Sequence, residues 1–369
     1  MRSTPPRAER WPAADYRLRS QTVSEWNIKG PALVVRGPED VVVEERTYQT
    51  PKVGEVLVEP YYIGLCGTDL DIVRGELDPA YVRYPLVLGH EWSGKILAVG
   101  QGVKGLRVGD PVVVEGILAC GECSLCRAGR TNLCENYDEL GFTVDGAAGP
   151  AVSCPAPLVH RLAADVPLEA GALVEPGAVV LRGLLEMAMV PGLRVLVIGD
   201  GTVALLAAQL VSMWSPAMVA MAGRRAEQRD LAAAVGVNEF IVETPRQRAY
   251  DLVVEAAGST SAVENALRSA ARGGQVLVLG IAGHGNTADL YVDDVVNNDL
   301  SIRGSFSYTA AAWAQTVRLL NAGSFKPLPL ITHRYTIDQH AEALGLLAAG
   351  GGGPRGKILF DMKAGQGRW

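Results

Sequence analysis

From Arg194 onward the chain alternates apolar strands with helices, and this alternation restricts its fold more than any other feature. Val195-Leu196-Val197-Ile198 reads as a fully apolar strand, Val203 to Val211 as a helix and Met218 to Met221 as a strand. A helix near Glu227 to Ala234, a strand at Leu252-Val253-Val254, a helix near Ala262 to Ala271 and a strand at Val276 to Leu279 follow. Strands apolar on both faces, each followed by a helix, build a parallel sheet covered on both sides. Upstream, Ala32 to Val99 reads as short strands broken by turns, with Val41-Val42-Val43 and Val56-Leu57-Val58 β-branched and Gly54 and Pro60 as punctuation. Residues 176 to 188 look helical, and the end of the chain returns to mixed character with a strand at Ile358-Leu359-Phe360. The expected architecture is an α/β unit inserted into a β-rich unit. An extension covers 1–30, the β-rich unit 31–180, the α/β unit 181–322 and the return 323–369. A chain of 369 residues, 48% of them hydrophobic, can supply two cores of this kind. No internal repeat is evident, and Gly350 to Gly353 is a short glycine run of loop character.

The first strand of the alternation leads into Gly199-Asp200-Gly201-Thr202-Val203-Ala204, a G-x-G-x-x-A loop that opens a helix. One glycine permits the tight turn, the second admits a pyrophosphate against the backbone, and the small last residue lets helix pack on strand. The helix N-terminus then offers unpaired N–H groups to phosphate. Ala257 and Gly280, at later strand ends, are expected to face the same dinucleotide. At the end of the second strand, Gly223-Arg224-Arg225 replaces the acid that binds a ribose 2′-hydroxyl in NAD-selective folds. A glycine leaves room for a 2′-phosphate and the arginines supply forks for it, so NADP(H) is expected over NAD(H).

Four of the six cysteines are crowded together as Cys120-x2-Cys123-x2-Cys126-x7-Cys134. Four thiolates satisfy a tetrahedral zinc ion with no open position, which marks a structural site, and the spacing matches neither common ferredoxin run. Cys66, in Cys66-Gly67-Thr68-Asp69, and His90, in Gly89-His90-Glu91, supply the ligand types of a catalytic zinc, which keeps one position open. Cys154 has no such company and reads as a packing residue.

The formal net charge of −6 argues against a general nucleic-acid binder. Gly201 to Gly223 carries no charge, but Pro216 interrupts it and two arginines follow, so a buried helix, turn and strand fit better than a membrane span. The first 30 residues have arginines but no apolar core of secretory length, and clustered cysteines in such a chain indicate metal binding in a cytoplasmic protein.

Taken in order, the Cys-Gly-Thr-Asp, Gly-His-Glu, four-cysteine, Glu175-Pro176 and Gly-x-Gly-x-x-Ala motifs resemble the zinc-dependent medium-chain alcohol dehydrogenase family over residues 31 to 363. The resemblance implies a Rossmann nucleotide-binding domain inserted in a GroES-like catalytic domain, with a structural zinc lobe at about 117–137 and two zinc ions per chain. It implies Cys66 and His90 as catalytic zinc ligands, with Glu91 or Glu175 completing the inner shell. Glu175 stands where simple alcohol dehydrogenases place a cysteine, as in the sorbitol, threonine and glucose dehydrogenase branches. Asp69 is implied as the carboxylate orienting the ligand histidine, and Thr68 as the hydroxyl that bonds the substrate oxygen and relays its proton.

The implied reaction passes hydride between a secondary alcohol and the nicotinamide. A sugar, polyol or cyclitol is the leading substrate class, and Cys134 to Thr143 loosely resembles aminocyclitol dehydrogenases. A simple alcohol or threonine-type amino alcohol is the alternative. A redox-inactive binding member of the family is a further one, against which the intact Cys66, His90, Glu91 and Thr68 argue. Two departures stand out. Asp71 replaces a relay histidine, and Gly149-Pro150 replaces the usual Glu-Tyr. A homodimer or homotetramer is expected, joined through the last strands of the nucleotide-binding sheet.

Overall fold

The computed structural model describes residues 27–243, 245, 247–283, 285–349 and 353–364. Most of the 1–30 extension therefore lies outside the described residues, as does most of the glycine run at 350–353. What is described starts earlier than expected, because the strand Ile28–Gly37 already pairs with Asp40–Tyr48, Ile28 lying opposite Tyr48.

The α/β half is a six-stranded, wholly parallel sheet. Its order is Glu239–Ile241, Met218–Ala222, Arg194–Ile198, Tyr250–Glu255, Ala270–Val278 and Ser301–Gly304. In chain order that is 3-2-1-4-5-6, and the direction of winding reverses beside Arg194–Ile198. The reason is visible in the residues. Val195 to Val197 are fully buried, as are Leu252 to Val254, so these strands need cover on both faces. The helices Thr202–Val211, Val174–Leu185 and Thr260–Ser269 pack around them. The short strands Glu239–Ile241 and Ser301–Gly304 lack apolar runs and complete the two edges.

The β-rich half is built around Glu55–Leu65. That strand pairs antiparallel with Glu91–Val99 on one side and, through its C-terminal half, with Lys357–Asp361 on the other. Val152–Pro155 covers its N-terminal half. Pro111–Val114 and Val159–Arg161 extend the sheet beyond Glu91–Val99, and Ile331–Tyr335 extends it beyond Lys357–Asp361. The returning chain is thus a structural member of the first sheet.

The helix Val174–Leu185 spans the expected 180/181 boundary without a break, so the crossing is one buried helix rather than a linker. Gly177 and Gly183 allow it to lie close to Phe325 and Leu279, where a Cβ would stand 2.9 Å from each. The Gly149-Pro150 departure also finds an account. Gly149 lies against the first strands, where a Cβ would stand 3.2 Å from the Tyr48 hydroxyl and 3.3 Å from Ala32, so a larger residue fits only if these neighbours shift by a few tenths of an ångström.

Gln228 joins the two halves. It is fully buried, its amide donates to the Asp200 carbonyl and to the Arg355 carbonyl (2.8 Å), and its oxygen accepts from the Arg355 N–H (2.7 Å). Replacing it with leucine removes both hydrogen bonds to the Arg355 main chain, and a buried polar group left unpaired costs about 1–3 kcal/mol, while the Asp200 carbonyl keeps Arg225 Nη2 at 3.0 Å. Gln228→Leu is therefore expected to lower the urea midpoint markedly while leaving the far-ultraviolet circular dichroism of the folded state unchanged. An unaltered midpoint would show that the bridge contributes nothing.

Candidate active site and metal centres

Cys66 caps the helix Gly67–Arg74. Its thiol accepts from the Thr68 N–H at 3.3 Å, while its own N–H donates to the Asp69 carboxylate at 2.9 Å. His90 closes the loop before Glu91–Val99, and its Nε2 lies 3.2 Å from Cys66 Sγ. Asp69, fully buried, lies 3.5 Å from His90 Nδ1, too long for a well-made hydrogen bond. Thr68 follows Cys66 by two residues within the first turn of that helix, partly buried, and Asp71 lies further along it with a carboxyl whose pKa burial raises.

Glu91 begins its strand directly opposite Gly64. A Cβ at Gly64 would stand 2.2 Å from Glu91 Oε2, so only glycine admits the carboxylate there. Lys357, on the returning strand, meets that same oxygen and donates to the Leu65 carbonyl at 3.0 Å. Both partners are buried, Lys357 at 1% exposure and Glu91 at 2%.

The donor atoms of Cys66, His90 and Glu91 all lie within 4.8 Å of one another. Zinc bonds of about 2.0–2.3 Å place tetrahedral donors roughly 3.3–3.8 Å apart, so the Cys66–His90 separation is close to that of a zinc-spanning pair. Burial alone would lower the His90 pKa, but the Cys66 thiolate and the Asp69 carboxylate outweigh it and hold the pKa well above the ordinary value. The donor set fits zinc.

Glu175 occupies the first turn of Val174–Leu185 and lies outside that three-residue cluster. Burial, then the neighbouring Glu91 carboxylate, pushes its pKa up to about 8. Three further groups were not singled out from the sequence. Glu139, on the short strand Asp138–Glu139, is raised by burial to about 7 against the opposing pull of His90, and it forms no ion pair among the described residues. Tyr308 is buried and accepts from the Gly116 N–H at 2.8 Å. Glu115, beside Gly116, binds His160 Nε2 at 2.8 Å. A single Lys, Tyr or Glu in a sequence carries no signal of this kind, because their neighbours are up to 266 positions away.

Cys120, Cys123, Cys126 and Cys134 form the second cluster of donors within 4.8 Å. Main-chain N–H groups of Cys120, Cys123, Cys126 and Asn136 point at the sulfurs of Cys134, Cys120, Cys123 and Cys134 at 3.3–3.4 Å. Such donors stabilise thiolates, and this set also fits zinc. The lobe is tied to the other half through Asn132, whose amide donates to the Phe306 carbonyl at 2.7 Å. Cys154 is buried in the core away from both clusters.

The nucleotide loop has the form the motif requires. Gly199 has φ +123°, and a Cβ there would stand 2.9 Å from the Ala256 carbonyl. At Gly201 nothing lies within 4 Å of a Cβ position, and no side chain caps the helix Thr202–Val211, so Thr202 and Val203 start it with free N–H groups. Ala257 N–H and Gly258 N–H donate to the buried Glu255 carboxylate at 2.8 Å, and Gly280 N–H joins at 3.2 Å. Gly280 packs against Gly258 so closely that a Cβ would stand 2.4 Å from its nitrogen. Ala257 and Gly280 thus belong to one glutamate-pinned corner.

One expectation needs correction. Gly223 does not leave open room, because a Cβ there would stand 2.6 Å from the Asp200 side chain and 2.7 Å from Phe240. Arg225 is engaged by Asp200 at 2.7 Å, while Arg224 is exposed.

Removing Lys357 leaves Glu91 a buried, unpaired carboxylate, and breaking a buried pair from one side costs about 3–5 kcal/mol. Lys357→Met is expected to lose stability on that scale in chelator, and to lose less with zinc present to hold the carboxylate. Equal losses with and without zinc, read from urea titrations, would separate Glu91 from the metal.

Residues 52–164 match the family described as alcohol dehydrogenase GroES-like domain, and residues 202–322 match zinc-binding dehydrogenase; together they cover more than half the chain. A 2-dehydro-3-deoxy-L-galactonate 5-dehydrogenase of Pseudoalteromonas atlantica is 29% identical over 86% of this chain and 94% of its own. A sorbitol dehydrogenase of Bacillus subtilis is 28% identical over 85% and 92%. The structure of a putative zinc-binding dehydrogenase from Sinorhizobium meliloti bound to NADP superposes with a TM-score of 0.84 at 26% identity, covering 92% of this chain and 99% of that one. The matched segments, the inserted parallel sheet and the two donor clusters converge, and the chain belongs to the zinc-dependent medium-chain alcohol dehydrogenase family.

Proposed function

We propose that this dehydrogenase acts on a secondary hydroxyl of a sugar, polyol or cyclitol, with Cys66, His90 and a carboxylate from Glu91 or Glu175 holding its catalytic zinc. The observation that carries the reading is the three-donor cluster of Cys66, His90 and Glu91, which leaves a position free. The bound zinc and nicotinamide supply, respectively, a Lewis acid for the alcohol oxygen and a hydride acceptor. The chain's own residues do the rest. Asp69 faces His90 and sets its ring. Lys357 neutralises Glu91. Thr68 accepts and passes on the hydroxyl proton. Glu139 and Glu175 offer acceptors to further hydroxyls, which suits a polyhydroxylated substrate. That same unpartnered Glu139 favours, as a second reading, a substrate bearing an ammonium group.

The four-cysteine lobe holds a second, structural zinc. NADP(H) is preferred over NAD(H), since no acid side chain stands at position 223 and Arg224 is free to meet a 2′-phosphate. Subunits pair as a homodimer or homotetramer through Ser301–Gly304, an edge strand exposed along its whole length. Six free thiols suit a reducing cytoplasm. Among the described residues no helix is long and apolar enough to cross a membrane.

A polyol and amino-polyol panel, read by nicotinamide absorbance with both cofactors, tests the activity; no turnover on any secondary alcohol would overturn it. Freshly purified active protein is expected to hold two zinc ions per chain, one of them removed by mild chelation with loss of turnover before unfolding. One or none would refute the assignment. Cys66→Ser should abolish activity in a folded protein, whereas Cys123→Ser should chiefly lower stability, because a structural zinc contributes folding free energy. Thr68→Ala should cut turnover by roughly 10²-fold. Wild-type kcat/KM favouring NAD by about tenfold, the worth of one charged contact, would reverse the cofactor assignment.

A further inference from the structure

The nucleotide loop carries a carboxylate of its own. Asp200 Oδ2 accepts the N–H groups of Arg224 and Arg225, each at 2.9 Å. Its Oδ1 accepts Arg225 Nη2 at 2.7 Å and Nε at 3.2 Å. Arg225 Nη2 also donates to the Asp200 carbonyl at 3.0 Å. Both side chains are only 13% exposed. Two main-chain amides and one edge of a guanidinium are the donors a phosphate would seek. Here they are already spent on an internal anion, placed beside the strand end where Gly223 has no side chain.

We propose that Asp200 is a specificity-determining residue for the nucleotide, its carboxylate competing with a ribose 2′-phosphate for the amides of Arg224 and Arg225 and for the Arg225 guanidinium. The inference rests on the reading that the 2′ position of the cofactor lies at the end of Met218–Ala222. Its consequence differs from that of a plain glycine-arginine selector. Arg224 is the one uncommitted cation of the pair, and Asp200 holds down whatever preference for phosphate the arginines provide. Asp200→Asn keeps the shape and an acceptor oxygen but removes the repelling charge and loosens Arg225.

The test is the binding of adenosine 2′,5′-bisphosphate against ADP by titration calorimetry, with kcat/KM for NADP and NAD measured in parallel. Asp200→Asn should raise the preference for the 2′-phosphorylated nucleotide by about tenfold or more over wild type, the worth of a charged hydrogen bond. Adding Arg225→Met should take that gain away. Because each shift is read against wild type, it stands or falls whichever cofactor wild type prefers. Should Asp200→Asn fail to fold, Asp200→Ser, which keeps an acceptor in less space, carries the same expectation. An unchanged or lowered preference, or equal loss of both nucleotides, would reduce Asp200 to a loop staple and overturn the proposal.

Discussion

A lysine ammonium buried inside a β-sheet is the constraint on which the catalytic half turns. Lys357 can be dry only because Glu91 and the Leu65 carbonyl receive it. That requirement fixes three strands in relative register. It sets Gly64 opposite Glu91, since no other residue leaves space for the carboxylate. It also holds the chain's return in the first sheet, because Lys357 opens the strand Lys357–Asp361. His90 and Cys66 sit at the ends of the elements so fixed.

Much of this was legible in residue order. The six-stranded sheet announced itself through runs such as Val195 to Ile198, whose burial on both faces is a local property of composition. The four-cysteine cluster was readable because Cys120 to Cys134 are close in sequence, whereas Cys66 and His90, at the ends of two neighbouring elements, stood out by ligand type and by family resemblance, with Glu91 or Glu175 left open as their third partner. The edge strands Glu239–Ile241 and Ser301–Gly304 were weaker signals because an edge needs no continuous apolar run. The helices Ala310–Asn321 and His340–Ala348 were passed over for a different reason: they lie past the regular alternation and follow no strand of the parallel sheet.

What the sequence withheld depends on partners far apart along the chain. Lys357, Tyr308 and Gln228 are ordinary residues until the fold brings Glu91, Gly116 and Arg355 to them. Asp200 was named with the loop, but its orientation toward Arg225 puts its side chain into the space that Gly223 seems to leave. An absent side chain reads as free space in a sequence, yet a neighbour's side chain fills it. Glu255 shows the same limit, because a strand-end glutamate looks solvent-facing until three amides converge on it.

Gln228 ties the carbonyl of Asp200 to the main chain at Arg355, and Lys357 stands only two residues further along that chain. One side-chain amide therefore spans from the glycine loop to the segment that leads into the strand carrying Lys357 against Glu91.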